Sequence, residues 1–491
     1  MTKPVLAVAF LLAITVATPA AVAVGSSLEA TCDLNGDGYG EFLWGDIVDV
    51  DGVESAGEFE VTYGTSAGLP DAPDIVITRA TPGLKGPLVE NGFFGATAAC
   101  GDFDGDGYDD LAVSSPGDVV SGLMNAGSVN VIPGSVSGLD FGPDQLWHQD
   151  RPGVKSGASA DEGFGFSLAT GDFDGDGHDD LAIGVDGEAV NGIPNAGAVN
   201  VLYGSPDGLT AGPDDFWHQE RAGIKGTAME GDRFGAVVRA GDFNGDGYDD
   251  LVASVPSKDI DGATNAGAIN IVYGSADGLT GKSDEYWHQN RKGIKDRAEE
   301  AESFGSWVAV GDFDGDGNDD LAVGLPFEDR VAEASGVVHL IPGSSTGLNA
   351  DADALWHQDR AGIKGKADPF DLFGVAVAAG DFNGDGYDDL AAGAGGEDIG
   401  GEVSAGAVHI IPGSAKGLDP GPDQLWHQAK PGVNSAPKAG EGFGSAMVAR
   451  NYNGDAYMDI VIQVFDACSG YVMYGGAGGL STVGDECRGP S

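Results

Sequence analysis

Residues 101–113 read G-D-F-D-G-D-G-Y-D-D-L-A-V. Close copies begin at Gly171, Gly241, Gly311 and Gly380. A divergent copy, C-D-L-N-G-D-G-Y-G-E-F, starts at Cys32, and a decayed one, R-N-Y-N-G-D-A-Y-M-D-I, starts at Arg450. Successive copies lie 69 or 70 residues apart, so the chain holds seven units. Self-similarity at a fixed period marks a repeat architecture and takes precedence over local pattern reading.

Each unit carries the same further elements. A Phe-Gly pair precedes the acidic string, as at Phe94-Gly95, Phe164-Gly165 and Phe234-Gly235; the first unit has Gly25-Ser26 there instead. After the string come an apolar run, a Gly/Asn-rich connection and a β-rich run such as Ala198-Val199-Asn200-Val201-Leu202-Tyr203. A Gly-Ser…Gly-Leu turn follows, then a W-H-Q segment at Trp147, Trp217, Trp287, Trp356 and Trp426. Short runs rich in β-branched and aromatic residues, bounded by Gly, Asn, Asp and Pro, predict about four antiparallel strands per unit. No stretch shows a capped helical period. Four strands repeated seven times predict an all-β, seven-bladed propeller, whose radial closure leaves only short edges. A linear solenoid is the rival and needs capping repeats. The blades fall at about 24–91, 92–161, 162–231, 232–301, 302–370, 371–440 and 441–491. In this frame no strand is left over to close the ring by exchange, so closure rests on packing between units one and seven, with a possible contribution from a disulfide.

The acidic strings read as calcium loops. Calcium takes six to eight oxygen ligands. Counting from the first acid, side chains at positions 1, 3, 5 and 9 can converge, with a backbone carbonyl at position 7. Three loops have Asp at all four places: Asp102, Asp104, Asp106 and Asp110; Asp172, Asp174, Asp176 and Asp180; Asp312, Asp314, Asp316 and Asp320. Two carry Asn at position 3: Asp242, Asn244, Asp246 and Asp250; Asp381, Asn383, Asp385 and Asp389. The first loop has Asp33, Asn35, Asp37 and Glu41. The seventh has Asn451, Asn453, Asp455 and Asp459, with Ala456 in place of glycine, and is expected to be weak or empty. Five or six Ca²⁺ sites result. An EF-hand is excluded, because its glutamate at position 12 would fall on Val113, Ile183, Ala253, Val323 and Ala392. So many carboxylates in nine residues repel one another without a cation, and a structural rather than catalytic role for calcium is expected.

Composition agrees. The formal charge is −54, from 78 acids against 24 bases, which disfavours nucleic acid and anionic lipid as partners. An apolar run from Pro4 to about Val24, with Ala21-Val22-Ala23 as an A-x-A site, predicts a signal peptide over 1–23 and a secreted product. An uncleaved anchor is the alternative, since the run is long enough to span a bilayer. Four cysteines suit an oxidising space and allow three pairings. Cys32 with Cys100 and Cys468 with Cys487 is the preferred one.

The string F-G…G-D-F-D-G-D-G-x-D-D-L-A-V-G…G-A-V-x-V-x-x-G resembles the FG-GAP repeat of integrin α-subunit propellers and their bacterial relatives. The resemblance implies calcium in the hairpin between the first and second strands, on a lower face. It also implies that ligands meet an upper face, built by the second-to-third and fourth-to-first connections. The inserted adhesion domain, leg domains and membrane span of integrins are not found here. Relatives with this repeat also include a phospholipase acting on lipid anchors and polysaccharide-active proteins.

Two function classes follow. The first is a monomeric, extracellular ligand-binding or adhesion scaffold whose partner is a protein or glycan. A ring of bases, Lys85, Arg151, Lys155, Arg221, Lys225, Arg291, Lys295, Arg360, Lys364 and Lys430, would suit an anionic one. The competing reading is that these bases pair with acids on neighbouring blades. The W-H-Q tryptophans likewise read as sugar-stacking or as inter-blade packing, with packing preferred. Their histidines would be dispersed round the ring rather than gathered on a metal. The second class is a carbohydrate- or lipid-active hydrolase or lyase, with acids drawn from Asp186, Glu188, Asp259, Asp261, Glu328, Asp329, Glu397 and Asp398. Gly343-Ser344-Ser345-Thr346-Gly347 fits G-x-S-x-G but sits at a hairpin turn, and P-loop and zinc motifs are missing from the sequence. The balance leans away from an enzyme.

Overall fold

The computed structural model describes residues 22–23, 32–70, 73–433, 436–464 and 470–488. Within them lie seven four-stranded antiparallel sheets, each with its strands in sequence order. Blade 1 comprises Val22–Ala23, Phe42–Asp46, Glu58–Thr62 and Ile75–Ile77; blade 2, Ala98–Gly101, Asp110–Ser115, Ser128–Ile132 and Gln145–Trp147. Blade 3 comprises Ser167–Gly171, Asp180–Val185, Ala198–Tyr203 and Thr210–Trp217; blade 4, Val238–Gly241, Asp250–Val255, Ala268–Tyr273 and Thr280–Trp287. Blade 5 comprises Trp307–Gly311, Asp320–Leu325, Val337–Ile341 and Ala354–Trp356; blade 6, Phe373–Gly380, Asp389–Ala394, Ala407–Ile411 and Gln424–Trp426. Blade 7 comprises Met447–Arg450, Asp459–Gln463, Gly470–Tyr474 and Ser481–Arg488. The first strand of blade 1 lies just ahead of the boundary drawn at residue 24. Residues 1–21 and 24–31, on which the leader expectation rests, lie outside the described residues.

The second and third strands read as unbroken apolar runs because both faces of each blade are covered by neighbours. Asp180–Val185 and Ala198–Tyr203, for example, are buried along their whole length. The core is therefore divided among seams. Seven apolar clusters each join two adjacent blades, and the seventh joins Phe42, Trp44 and Leu69 of blade 1 to Tyr452, Val461 and Val472 of blade 7. That last cluster closes the ring and excludes the open solenoid. Polar contacts reinforce it: Tyr474 Oη accepts the Leu69 N–H at 2.9 Å, and the Arg450 guanidinium donates to the Glu41 carbonyl at 3.2 Å. Among the described residues no strand is exchanged between blades, so closure rests on packing, as the repeat frame requires.

The W-H-Q tryptophans are buried in these seams. The Gly343–Gly347 segment is a turn in which Ser344 Oγ donates to the Gly347 carbonyl at 2.6 Å, as Ser275 does to Gly278 at 2.7 Å. The central serine of the motif, Ser345, lies within that turn and bridges to Gly347, so it is a turn residue, not a raised nucleophile.

Cys32 and Cys100 form a disulfide that joins blade 1 to blade 2. It reinforces the seam beside the closure, not the closure itself. The other expected pair involves Cys468, which lies outside the described residues. The Cys32–Cys100 bond closes a loop with a sequence separation of 68, and chain entropy puts its contribution at about 2–4 kcal/mol. Replacing both cysteines by serine should lower the denaturation free energy by about that amount while the far-ultraviolet circular dichroism stays unchanged, as chemical denaturation will show.

Candidate metal centres

Each acidic string is the hairpin between the first and second strands of its blade, and all seven lie at one end of the ring, here called lower. In blade 3 the position-1 residue, Asp172, accepts the N–H groups of Gly175, Asp176 and Gly177 at 2.7, 3.1 and 3.0 Å. Asp174 Oδ1 accepts from Asp176 N, and Asp176 Oδ1 from His178 N. Those amides fold the loop and leave the second oxygens of Asp174 and Asp176 outside these backbone bonds. The position-9 carboxylate, Asp180, reaches inward and accepts from Phe173 N at 2.9 Å and from Gly204 N at 2.9 Å.

Carboxylate oxygens converge within 4.8 Å in four loops: Asp33, Asp37 and Glu41; Asp102, Asp104 and Asp106; Asp172, Asp174 and Asp180; Asp312, Asp314 and Asp316. In the three all-Asp loops the convergent set holds three of the four acids, and Asp110, Asp176 and Asp320 are the ones outside it. The donors are all oxygens, the set that suits a hard divalent cation. Glu41 Oε1 is buried without a hydrogen-bond partner, and such an atom suits a ligand better than it suits an apo loop. The loops at Asp242 and Asp381 bring fewer acids together because of Asn244 and Asn383. The Asn383 amide donates to Asp389 at 3.0 and 3.1 Å. In the seventh loop two amides do this: Asn451 donates to the Asp455 carbonyl and Asn453 to the Asp455 carboxylate. There the side-chain N–H groups supply the positive charge that a cation would.

Burial dominates the protonation of the position-9 acids. It pushes Asp110 and Asp320 up to about 8, Asp180, Asp250 and Glu41 to about 9, and Asp389 and Asp459 to about 7. Neighbouring loop acids raise the first five further. A bound divalent charge reverses that logic.

One functional position escaped the reading of the sequence. The residue at position 8 binds the preceding blade. Asp179 accepts the Asp102 N–H at 2.8 Å while its own N–H donates to the Asp102 carbonyl at 3.1 Å. Asp109, Asp249, Asp319 and Asp388 hold Asp33, Asp172, Asp242 and Asp312 in the same two-way clasp. At Met458 and Gly40 only the backbone half remains, bonding Asp381 and Asn451. Position 7 adds a second contact, lying over the position-4 glycine of the preceding loop. A methyl group on Gly175 would come within 2.5 Å of the Tyr248 ring, and one on Gly454 within 2.7 Å of Tyr39, across the closure. The repeated D-D dipeptide was the available signal.

The upper end resolves differently. Arg151, Arg221, Arg291 and Arg360 stack on the tryptophans of their own W-H-Q segments, 3.4, 3.5, 3.6 and 3.9 Å from the ring centroids, and Lys430 does so at 3.2 Å. Lys85, Lys225, Lys295 and Lys364 donate from Nζ to the carbonyls of Asp144, Asp284, Asp353 and Asp423 on the next blade. The ring of bases is thus committed to stacking and to seams. Of the acids singled out for catalysis, Asp186 is ion-paired with Arg233 at 2.9 Å. Asp259 and Asp398 each accept a backbone N–H within their own connections, from Asn265 and Ser404. The glutamates of the pool, Glu188, Glu328 and Glu397, lie in three separate blades and face glutamines Gln149, Gln289 and Gln358.

The family described as FG-GAP repeat matches residues 94–131, 164–202, 234–271, 304–341 and 373–411, the first-to-third strands of blades 2 to 6. Integrin alpha-PS2 of Drosophila melanogaster is 31% identical over 250 residues, 49% of this chain and 16% of the relative. Integrin alpha-8 of Gallus gallus is 32% identical over 260 residues, 51% of this chain and 22% of the relative. The phosphatidylinositol-glycan-specific phospholipase D of Rattus norvegicus is 30% identical over 175 residues, 35% and 20% of the two chains. The chain thus spans about a fifth of the length of these curated relatives. Among solved structures, the exotype rhamnogalacturonan lyase YesX covers 95% of this chain and 74% of its own, with a TM-score of 0.43 and 13% identity. With its F-G pairs, its acidic hairpins and these sequence matches, the chain carries five matched FG-GAP repeats and is similar to the integrin α-subunits.

Proposed function

We propose that this protein is an extracellular, calcium-stabilised propeller that presents its upper end to a protein or glycan ligand. The observation that carries the calcium half is the coupling of loop to seam. The backbone of position 1, which an ion would fix, is the same backbone that position 8 of the next blade clasps. Ion binding therefore stabilises the contact between blades as well as the loop. At free calcium about ten times Kd, each site contributes roughly 1.4 kcal/mol by linkage, and six contribute roughly 8 kcal/mol, comparable to the net stability of a domain. The ligand half rests on exposed apolar side chains. Val119, Met124, Phe166, Met229 and Val403, five of the seven exposed large hydrophobics among the described residues, belong to upper-end connections or their flanks. Exposed apolar groups gathered on one end favour an interaction surface. The Cys32–Cys100 disulfide and the acidic surface suit an exported protein.

Removing calcium with a chelator should lower the melting temperature sharply. Asp174→Ala should lower stability by about 1.4 kcal/mol in calcium and have little effect in chelator. An unchanged midpoint on chelation sinks the calcium reading. A binding screen against glycans and matrix proteins, with and without calcium, tests the ligand half. A hit that Met124→Ala with Phe166→Ala leaves intact would move the ligand to another surface.

The metal-free protein should also respond to pH in an unusual sense. Burial pushes Asp109, Asp249 and Asp388 up to about 6 and Asp319 to about 7 in the folded ring. The unfolded chain releases those protons near pH 4. A folded pKa above the unfolded one gives stability that is fully present below the unfolded value and lost as pH rises through the folded value. In chelator, melting temperature should therefore rise by several degrees as pH falls from 8 to 5. Saturating calcium should flatten that profile, as calorimetry in both conditions will show.

A further inference from the structure

The upper ends of the blades repeat a charge pattern of their own. One member opens the second-to-third connection: Lys258 in blade 4, Glu328 in blade 5 and Glu397 in blade 6. Each donates its N–H to a carbonyl three residues back, at Val255, Leu325 and Ala394. The facing member comes from the fourth-to-first connection: Asp232, Glu302 and Asp371. Each accepts an N–H from three residues upstream, at 2.7, 2.8 and 2.6 Å. The backbone frame is therefore the same in all three blades, and only the side chains differ.

In blade 4 the pair is a buried ion pair. Lys258 Nζ lies 2.7 Å from Asp232 and also donates to the Thr227 carbonyl. In blade 2 the position of Lys258 is held by an acid, Asp118, which the buried guanidinium of Arg79 neutralises. In blade 5 the position of Lys258 is taken by Glu328, so two carboxyls face each other. Gln289 bonds to both. Glu302, Glu328 and Gln289 are only 2, 3 and 1% exposed, and no side-chain cation among the described residues pairs with either acid. Glu302 Oε1 there is buried without any hydrogen-bond partner, and so is Gln289 Oε1, a state shared by all five W-H-Q glutamines. Asp296 and Glu299 add further negative charge around Glu328. Blade 6 repeats the arrangement with a buried Asp371, a partly buried Glu397 and Gln358, whose Oε1 is also buried without a partner.

A buried carboxylate must be paired, and a buried acceptor without a partner is rare. Blades 2 and 4 meet that requirement with a tethered cation. Blade 3 holds the same trio, Glu162, Glu188 and Gln149, and adds a hydroxyl, Ser156 Oγ, that donates to Glu188. Blades 5 and 6 present two carboxyls and an amide oxygen in the same frame without that hydroxyl, an all-oxygen set of the kind that takes a hard ion. We propose that blades 5 and 6 each bind a divalent cation of the calcium class at the upper end, through Glu302, Glu328 and Gln289 and through Asp371, Glu397 and Gln358, in the role that Lys258 fills in blade 4.

The test is a count of calcium ions bound per chain, by equilibrium dialysis and metal analysis of the full chain at pH 8. Glu328→Lys transplants the blade 4 solution. It should bind one calcium fewer than the wild type and melt in chelator no lower than the wild type does. Lys258→Glu should bind one calcium more. Should Glu328→Lys fail to fold, Glu302→Gln must show the same loss of one ion. An unchanged count in a folded Glu328→Lys or Glu302→Gln protein overturns the proposal, because the acids then hold only a shared proton. Asp174→Ala reports the lower loops separately. If Asp174→Ala leaves the count unchanged while Glu328→Lys lowers it, the loop reading fails and the upper site stands.

Discussion

The ring depends on a contact between consecutive hairpins, repeated at every seam. The position-8 residue of one blade holds the position-1 residue of the preceding blade by backbone, and in five seams by carboxylate as well. Position 7 covers a glycine of the same preceding loop, in a left-handed conformation at Gly175 (φ 72°) that disfavours a side chain on conformational grounds as well as by contact. A propeller has no hydrogen-bonded sheet running across its seams, so such contacts and the apolar clusters beneath them set its cohesion. Because the clasped backbone belongs to the loop, anything that orders the loop also tightens the ring.

That arrangement explains why the loops tolerate so much charge. Each position-1 carboxylate is surrounded by N–H donors, as Asp172 is by Gly175, Asp176 and Gly177. These donors offset part of the repulsion among positions 1, 3 and 5 but do not reach the buried acid at position 9, which has its own two amides. The remaining imbalance is met in the seventh loop by asparagine amides and, in the reading developed above, by a divalent ion elsewhere. The exchange of aspartate for asparagine at positions 1 and 3 of that loop is thus a change of counter-charge within one backbone shape.

Architecture was almost wholly legible in the repeat. Seven copies of one string set the blade number, strand count and hairpin positions, because period and strand pattern are local properties of sequence. The Cys32–Cys100 bond was the preferred member of three pairings that the sequence left open. What escaped was the identity of partners across seams. The first aspartate of D-D, at position 8, drew no role from the sequence, yet Asp179 bonds to Asp102, 77 residues earlier. The W-H-Q bases read either as a ligand-facing ring or as partners of acids on neighbouring blades. Arg151 instead lies on Trp147, four residues back, a contact that extended strand spacing does not suggest and that the turn after the strand creates. Which residues meet is set by how blades stack, and no periodicity within a unit reports that.

The distribution of charge bears on what the upper end can bind. Most of its conspicuous bases are engaged: the arginines with tryptophan faces and backbone carbonyls, and Lys85, Lys225, Lys295 and Lys364 with carbonyls of the adjacent blade. A guanidinium stacked on an indole keeps its charge but is held by the cation–π contact and its carbonyl acceptor. With a formal charge of −54 on the chain, the long-range field repels anions. In the proposed function, recognition at this end would therefore fall to the apolar side chains around Met124 and Phe166 and to hydrogen bonding, both short-ranged. An acidic ligand would need a bridging divalent ion, whereas a neutral glycan or a basic protein surface meets no such barrier.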